Sequence, residues 1–367
     1  MNELLLMTPG PTRVPERVLR AGARPMIHHR TPEFARELAT MVELLQPIFG
    51  TRQLVLPVHT TGRGALEATI CNLFSAGDEI AVCCNGKFGE MWAGFAESYG
   101  VIVHRICADW RQSVDPQTVD AFLAEHPHVR AVALPYADSS TAVANDIQGV
   151  ARLASARGVL TLVDGVSSIG GMPFAFDEWG IDVAVTASQK CLMSSPGIAF
   201  VVLSERAAHA SATARLPRNY WSFEAVRREI SKAKPETPGT TPVHLVLQVA
   251  EALRMIHEEG FTTVLRRHEQ MATRTRAGIA ELGLELQCPG LARHASTMTA
   301  VTLPAGVSPS EVRGALKARG ILTAAGLGPY QTTGLRIGHM GDIRMIDVER
   351  TLGALSEVLA AQPADAR

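Results

Sequence analysis

The chain has 367 residues, and its 35 lysine and arginine residues are balanced by 36 aspartate and glutamate residues, which gives a formal net charge of −1. This balance lacks the basic excess that nucleic-acid binding favours, so charge implies no macromolecular partner. With 46% hydrophobic residues, the chain can bury a large core, and we expect one large domain with a smaller companion.

The six cysteines are scattered through apolar segments without the C-x-x-C spacing of a zinc site or the pattern of a disulfide framework. No apolar run is long enough to span a bilayer, and no basic segment precedes the short apolar stretch near the start. These features predict buried, reduced thiols, no metal, no membrane contact and a cytoplasmic enzyme.

Apolar runs typical of strands alternate with amphipathic runs typical of helices up to residue 204. Helices are predicted to reach Phe95 and to cover 114–125 and 145–157. The predicted strands are 79–84, 101–107, 131–136, 159–164, 182–187 and 198–203. This alternation predicts a doubly wound α/β domain with a mainly parallel sheet.

The remaining sequence has a different pattern. Residues 215–242 are polar and charged, and we interpret them as an insert containing loops. Helices are predicted over 243–259, 262–282 and 309–318, with strands at 296–303 and 334–338. We divide the chain into an N-terminal segment (1–20), a large domain (21–261) and a small α+β C-terminal domain (262–367).

Two candidate catalytic residues follow neighbouring predicted strands. Asp164 closes the strand 159–164, and Lys190 stands just beyond the strand 182–187. Ligands bind outside the carboxyl ends of parallel strands, so both side chains could face one pocket. A lysine and a carboxylate suit pyridoxal phosphate, whose aldehyde combines with an amine and whose ring nitrogen needs an acidic partner. Taken singly, Asp164 could be only a cap or turn residue and Lys190 a surface charge.

A glycine turn at residues 60–64, TTGRG, leads directly into a predicted helix. The first N–H groups of a helix lack internal partners, and the positive end of the helix dipole attracts a phosphate. The pattern alone also fits a simple turn and cap.

The ordered motifs resemble those of class V, fold-type-I aminotransferases of the alanine/serine–glyoxylate (or pyruvate) group. The resemblance runs almost from end to end of the chain. Its motifs are PGPT (9–12), ARPMIHHRTPEF (23–34), TGRGALEA (61–68), NGKFGEMW (85–92), SSTAV (139–143), VDGVSSIGG (163–171), SQKCLMSSPG (188–197), GTTPV (239–243) and LRIGHMG (335–341). It implies the fold of pyridoxal-phosphate-dependent transferases.

The resemblance implies that Lys190 forms the Schiff base with the cofactor and moves the substrate proton. It implies that Asp164 keeps the ring nitrogen protonated and that Phe88 stacks on the ring. Ser140 would lie beside the ring oxygen and Val166 against a ring face. For Phe88, ordinary core packing is the alternative role.

The same resemblance implies a phosphate site formed by Thr61, Gly62, Arg63 and Gln189. Thr240 matches a threonine that reaches the phosphate from the neighbouring subunit, which implies a homodimer.

Arg336 would bind the substrate carboxylate, because a guanidinium can grip a carboxylate with two hydrogen bonds. A structural ion pair is the alternative role.

Several positions bear on the substrate. Arg63 stands where relatives commonly have threonine or histidine, and it could bind the phosphate or an anionic substrate group. Ala142 replaces a usual glycine, which we expect only to stiffen the turn. The pair His29 and Arg30, and the lack of a glutamate before Gly62, argue against ureidoglycine–glyoxylate and pyridoxamine–pyruvate enzymes.

The resemblance implies a ping-pong transamination from serine or alanine to glyoxylate or pyruvate. An alternative donor is an anionic amine such as 2-aminoethylphosphonate, bound by Arg63 or by a basic residue of 215–234. A cysteine desulfurase would need histidine where Gln189 stands. A non-catalytic subunit is disfavoured, because such proteins usually lose the lysine that Lys190 retains.

Overall fold

The computed structural model describes residues 4–290 and 293–362. The termini 1–3 and 363–367 of the predicted N-terminal segment and small domain, and residues 291–292, lie outside this description. The strands are β1 (Leu5–Leu6), β2 (Val55–Val58), β3 (Glu79–Cys84), β4 (Ile102–Cys107), β5 (Val129–Pro135), β6 (Ala137–Asp138), β7 (Val143–Ala144), β8 (Leu160–Asp164), β9 (Val183–Ala187), β10 (Ala199–Leu203), β11 (Glu285–Leu286), β12 (Met298–Thr302), β13 (Ile321–Leu322), β14 (Ala324–Ala325) and β15 (Gly334–Gly338).

Helices accompany these strands, and a 3₁₀ turn spans Gly328–Tyr330. The α-helices are α1 (Glu16–Gly22), α2 (Pro32–Phe49), α3 (Gly62–Leu73), α4 (Lys87–Ser98), α5 (Pro116–Glu125), α6 (Ile147–Ala156), α7 (Glu205–Thr213), α8 (Phe223–Ile230), α9 (Val243–Glu259), α10 (Phe261–Glu281), α11 (Pro309–Ala318) and α12 (Met345–Ala360).

A seven-stranded sheet with the order β2-β10-β9-β8-β5-β3-β4 forms the centre of the larger part of the molecule. Neighbouring strands are parallel except at β10, which runs antiparallel to both β2 and β9. The inner strands are buried on both faces, as their continuous Val, Leu and Ala content predicts. The predicted mainly parallel α/β sheet is therefore confirmed.

Three sequence predictions need correction. β2, which contains Pro57, was not predicted; the strand lies at the sheet edge, where a proline without an N–H is tolerated. The segment 215–242 is more than loops, because α8 forms within it and buries three side chains on one face, including Phe223. Cys107 is exposed, whereas the other five cysteines are buried as expected.

The C-terminal part contains a four-stranded antiparallel sheet, β11-β12-β15-β14, covered by α10, α11 and α12. A second apolar cluster lies there, and it includes Leu5 and Met7 from the start of the chain. β1 pairs in parallel with β13. The chain's first described residues therefore pack with its last third, while the predicted domain boundaries stay a prediction.

No helix within residues 4–290 and 293–362 is both long and apolar enough to cross a membrane. The same described ranges contain no group of three or more His, Cys, Asp or Glu side chains placed to hold a metal ion.

His268 joins α10 to the loop that follows β15. Its Nδ1 lies 2.7 Å from the carbonyl oxygen of Val264, and its Nε2 accepts the N–H of Gly341 at 3.1 Å. The side chain is fully buried. Burial is the main cause that lowers the pKa of His268 to about 4. The neutral imidazole, with its proton on Nδ1, is thus part of the folded structure.

Because the folded pKa of His268 lies below the ordinary value of 6.5, the unfolded chain binds more protons between about pH 6.5 and 4. Stability should therefore fall across that window as the pH decreases. We expect H268Q to remove part of this pH dependence, on the order of 3 kcal/mol, although it also weakens the fold at pH 7.

Chemical denaturation at several pH values measures this effect. H209Q, at an exposed histidine on α7, is the matched control and should keep the wild-type profile. An unchanged slope in H268Q would contradict the assignment.

Candidate active site

The candidate residues lie beyond the carboxyl ends of strands that share a direction. β9, β8, β5 and β3 are adjacent in the sheet. Asp164 is the last residue of β8, and the other three strands are followed by Lys190 (after β9), Ser140 (after β5) and Phe88 (after β3). β2 runs in the same direction, because it and β9 are both antiparallel to β10, and Gly62 follows it. The structure therefore brings these five positions to one edge of the sheet.

Lys190 lies in a turn that the N-terminal segment holds. The N–H of Thr12 donates to the carbonyl oxygen of Gln189 at 3.0 Å, and the Thr12 hydroxyl donates to that of Lys190 at 3.0 Å. Lys190 Nζ donates to the carbonyl oxygen of Pro9. Gly10 has a φ of 121°, which favours glycine, and a Cβ there would lie 2.7 Å from Lys190 Nζ in its present position.

Burial shifts the pKa values of the lysine and its acidic neighbour toward each other. It lowers the pKa of Lys190 to about 8, and the Arg336 cation adds to that effect, while Asp164 opposes it. Burial raises the pKa of Asp164 to about 6; the Asp138 charge adds to this, while the N–H of Val166 at 2.9 Å and Lys190 oppose it. A neutral amine and an ionised carboxylate are thus both accessible near neutral pH.

The start of α3 is open to an anion. Thr61 occupies the N-cap position, but its side chain does not cap the helix. A Cβ on Gly62 would lie 2.6 Å from Val166, and one on Gly64 would lie 2.0 Å from the Thr60 hydroxyl oxygen. Both glycines are therefore needed for close packing, and the first-turn N–H groups lack a side-chain acceptor from the cap.

Arg63 contributes its backbone to this first turn, but its side chain points elsewhere. The guanidinium carbon lies 5.2 Å from the ring centroid of Phe95, and the residue is exposed. A cation–π contact thus holds the positive charge at the surface.

Phe88 and Ser140 meet at a carboxylate that the sequence analysis missed, Asp138. Asp138 Oδ2 accepts the N–H of Phe88 at 3.0 Å, and Oδ1 accepts the N–H of Ser140 at 2.9 Å and its hydroxyl at 2.5 Å. Ser140 Oγ also accepts the N–H of Lys87 at 3.0 Å. Asp138 lies just beyond the strand β5, as Asp164 lies at the end of β8, and that similarity was a usable signal.

Arg336 reaches the site from β15 of the smaller sheet. Its Nε donates to the carbonyl oxygen of Ala325 at 2.7 Å, and its Nη1 donates to that of Ser139. Burial lowers its pKa to about 10, which leaves the guanidinium charged at neutral pH. It has no side-chain ion pair within the described parts of the chain, so the structural ion pair considered from sequence is not found there.

Gln189 and Thr240 have different environments. Gln189 precedes Lys190, and its buried amide oxygen has no hydrogen-bond partner among the described residues. Thr240 is exposed and borders a surface cleft of about 290 Å³ that His59 and Tyr220 also line. Thr241 is held inside the chain by a 2.6 Å contact between its hydroxyl and His59 Nε2.

These residues fit pyridoxal phosphate on three observations. The start of α3 offers N–H groups without a side-chain cap, and a Cβ on Gly62 would clash with Val166, so only glycine lets the helix start approach this side chain. The buried amide oxygen of Gln189, next to Lys190, has no partner among the described residues, which indicates a missing hydrogen-bond donor at this place. Lys190 and Asp164 supply an amine and a carboxylate in one buried region. The donor set therefore matches an anionic, aldehyde-bearing cofactor with a basic ring nitrogen.

Comparison with known proteins gives consistent results. The sequence model described as aminotransferase class-V matches residues 5–344. The chain is 37% identical to the "soluble hydrogenase, small subunit" of Synechococcus sp. (strain PCC 6716), over 98% of this chain and 94% of that protein. It is 34% identical to the L-aspartate–glyoxylate aminotransferase of Paracoccus denitrificans (strain Pd 1222), over 92% of this chain and 86% of that protein.

Among solved structures, the alanine–glyoxylate aminotransferase from Nostoc sp. superimposes with a TM-score of 0.93 and 30% identity, covering 98% of this chain and 96% of that one. The class-V aminotransferases are a pyridoxal-phosphate-dependent family. The matched sequence model, the extent of the alignments and the shared fold show that this chain belongs to the class-V aminotransferases.

Proposed function

We propose that the chain binds pyridoxal 5′-phosphate and transfers an amino group from serine or alanine to glyoxylate or pyruvate by a ping-pong reaction. The observation that carries this proposal is the placement of Lys190 and Asp164, with pKa values of about 8 and 6, beyond two paired parallel strands. The similarity to the Nostoc alanine–glyoxylate aminotransferase supports the substrate class.

The residues that would hold the cofactor surround that pair. Asp164 would lie opposite the ring nitrogen. Phe88 and Val166 would pack against the two faces of the ring, and Ser140 would lie beside the ring oxygen. The phosphate would lie at the start of α3 near Thr61, Gly62, Arg63 and Gln189. When bound, the cofactor supplies an aldehyde that combines with amines and a ring that takes up negative charge from the substrate Cα.

The chain's own groups would move and hold the protons. Lys190, neutral in part near its pKa of about 8, would take the proton from the substrate Cα and deliver it to the cofactor's C4′ carbon, on the other side of the linking nitrogen. Asp164 is ionised above about pH 6 and would keep a proton on the ring nitrogen. Arg336 would bind the substrate carboxylate. Because Arg336 can hold one carboxylate at a time, donor and acceptor would take turns, which explains a ping-pong order.

We propose a homodimer in which Thr240 completes the phosphate site of the partner. In support, Thr240 is exposed beside an open cleft, whereas its neighbour Thr241 is buried and bonded within its own chain. A cytoplasmic location is also proposed, on the scattered cysteines of the sequence.

A second candidate is an aminotransferase for an anionic donor, such as 2-aminoethylphosphonate or a dicarboxylic amino acid. The observation that favours it is the similarity to the Paracoccus enzyme named for L-aspartate. Arg63, whose side chain lies against Phe95, would have to turn toward the pocket to bind such a donor.

A half-reaction screen tests the first candidate. Single amino acids are added to the cofactor-loaded protein, and the cofactor absorbance is followed. Serine or alanine should change the spectrum, and glyoxylate or pyruvate should restore it. K190A should slow the change at least about a hundredfold through loss of the proton-transfer group. K317A, on α11, is the matched control. A K190A variant as fast as wild type would exclude the assigned role.

R336K tests the carboxylate site. Lysine keeps the charge but loses the paired hydrogen bonds, so kcat/KM should fall by roughly tenfold or more for every carboxylate substrate. R319K, at an exposed surface pair with Glu357, should match wild type. Equal kinetics in R336K and wild type would remove Arg336 from the substrate site.

R63Q separates the two roles of Arg63. If the residue serves the phosphate, R63Q should weaken cofactor binding whatever the donor. If it binds an anionic donor, only aspartate or 2-aminoethylphosphonate should lose rate, by roughly tenfold. R152Q, an exposed arginine on α6, is the control. Cofactor titration and donor kinetics on one preparation decide between the roles, and wild-type behaviour in both assays would contradict both.

A further inference from the structure

Asp138 is a fully buried carboxylate, and its hydrogen-bond partners among the described residues are donors. The N–H groups of Phe88 and Ser140 donate to it at 3.0 and 2.9 Å, the Ser140 hydroxyl lies 2.5 Å away, and the N–H of Gly89 also contributes. Three of these donors are backbone N–H groups, which cannot accept a proton. The contacts therefore suit an ionised carboxylate.

The carboxylate caps a helix that has no capping side chain of its own. α4 begins after Gly86, which occupies its N-cap position. Asp138, which lies beyond the end of β5, accepts the N–H of Phe88 in the first turn of this helix. A Cβ on Gly86 would lie 2.3 Å from Asp138 Cγ, so the packing is close. Burial raises the pKa of Asp138, but these hydrogen bonds and the positive end of the helix oppose that shift.

The same carboxylate is next to the groups proposed to hold substrate and cofactor. Ser139, its chain neighbour, accepts the Arg336 hydrogen bond through its carbonyl oxygen. We propose that Asp138 is a positioning residue: its buried carboxylate joins the start of α4, which carries Phe88, to the turn that holds Arg336. The proposal rests on the proposed function, because Phe88 and Arg336 have their roles there.

Asp138 also acts through its charge. The charged groups that act on Asp164 are Asp138, which raises its pKa, and Lys190, which lowers it. Neutralising Asp138 should therefore lower the pKa of Asp164 and keep that carboxylate ionised to a lower pH. If Asp164 must be ionised to hold the cofactor ring, cofactor affinity should persist further into the acid range.

The experiment is a calorimetric titration of pyridoxal phosphate into the cofactor-free full chain at several pH values, for wild type, D138N and G86A. In D138N an amide cannot accept from all the backbone donors, so the affinity should fall by roughly tenfold at neutral pH. Its remaining pH dependence should shift to lower pH. In G86A the added methyl group would displace the Asp138 carboxylate without changing its charge. G86A should therefore weaken cofactor binding without shifting its pH dependence.

D182N is the matched control. Asp182 is also buried and accepts the N–H of Thr161 at 3.0 Å and the Ser204 hydroxyl at 2.7 Å, but it precedes β9 at the opposite edge of the sheet. D182N should keep the wild-type affinity and pH profile. D138N that binds like D182N would overturn the proposal. An affinity loss in D138N without the pH shift would also overturn it, because D138N, unlike G86A, removes the charge that acts on Asp164.

If D138N does not fold, G86A decides: a folded G86A with weaker binding supports the proposal, and one with wild-type affinity overturns it. Wild-type protein that binds no pyridoxal phosphate would instead refute the proposed function. The two failures are therefore distinguishable.

Discussion

The common direction of β3, β5, β8 and β9 is the constraint on which the site depends. Parallel neighbours end at one edge of a sheet, so residues far apart in sequence meet without a long loop between them. Pro135 pairs with Asp164, and Asp164 pairs with Val185, so the register of β5, β8 and β9 is fixed along the strand direction. A register shift would move Asp164 relative to the turn that carries Lys190.

Charge burial is the second organising feature. Lys190, Asp164, Asp138 and Arg336 influence one another's pKa values in a region from which water is largely excluded. Groups of opposite sign are close together in this region, which reduces the cost of burying each charge. Backbone groups also stabilise these charges: carbonyl oxygens accept hydrogen bonds from the cations, and N–H groups donate hydrogen bonds to the carboxylates.

Much of the fold could be predicted, because repeated apolar strands separated by amphipathic helices leave a strong pattern. The predicted strand 182–187 matches β9 to one residue. β2 was missed because Pro57 weakens the strand signal, and α8 because its three buried residues lie within a highly charged segment. In the site, Asp164 and Lys190 could be predicted from the sequence because they lie at the ends of predicted strands. Asp138 follows β5 in a similar way, so its position was also visible in the sequence. Its contact with the start of α4 was not, because that helix begins fifty residues earlier in the chain and local patterns do not encode the contact.

The N-terminal segment has a consequence for the order in which the molecule can assemble during synthesis. Met7 accepts the N–H of Gly338, β1 pairs with β13, and Thr12 holds the turn at Lys190. A ribosome synthesises residues 5–12 long before the strand that contains Gly338. The large sheet can form while translation continues, but the support behind Lys190 needs contacts separated by more than three hundred residues. A nascent chain halted before β15 would therefore have the sheet without a finished catalytic pocket.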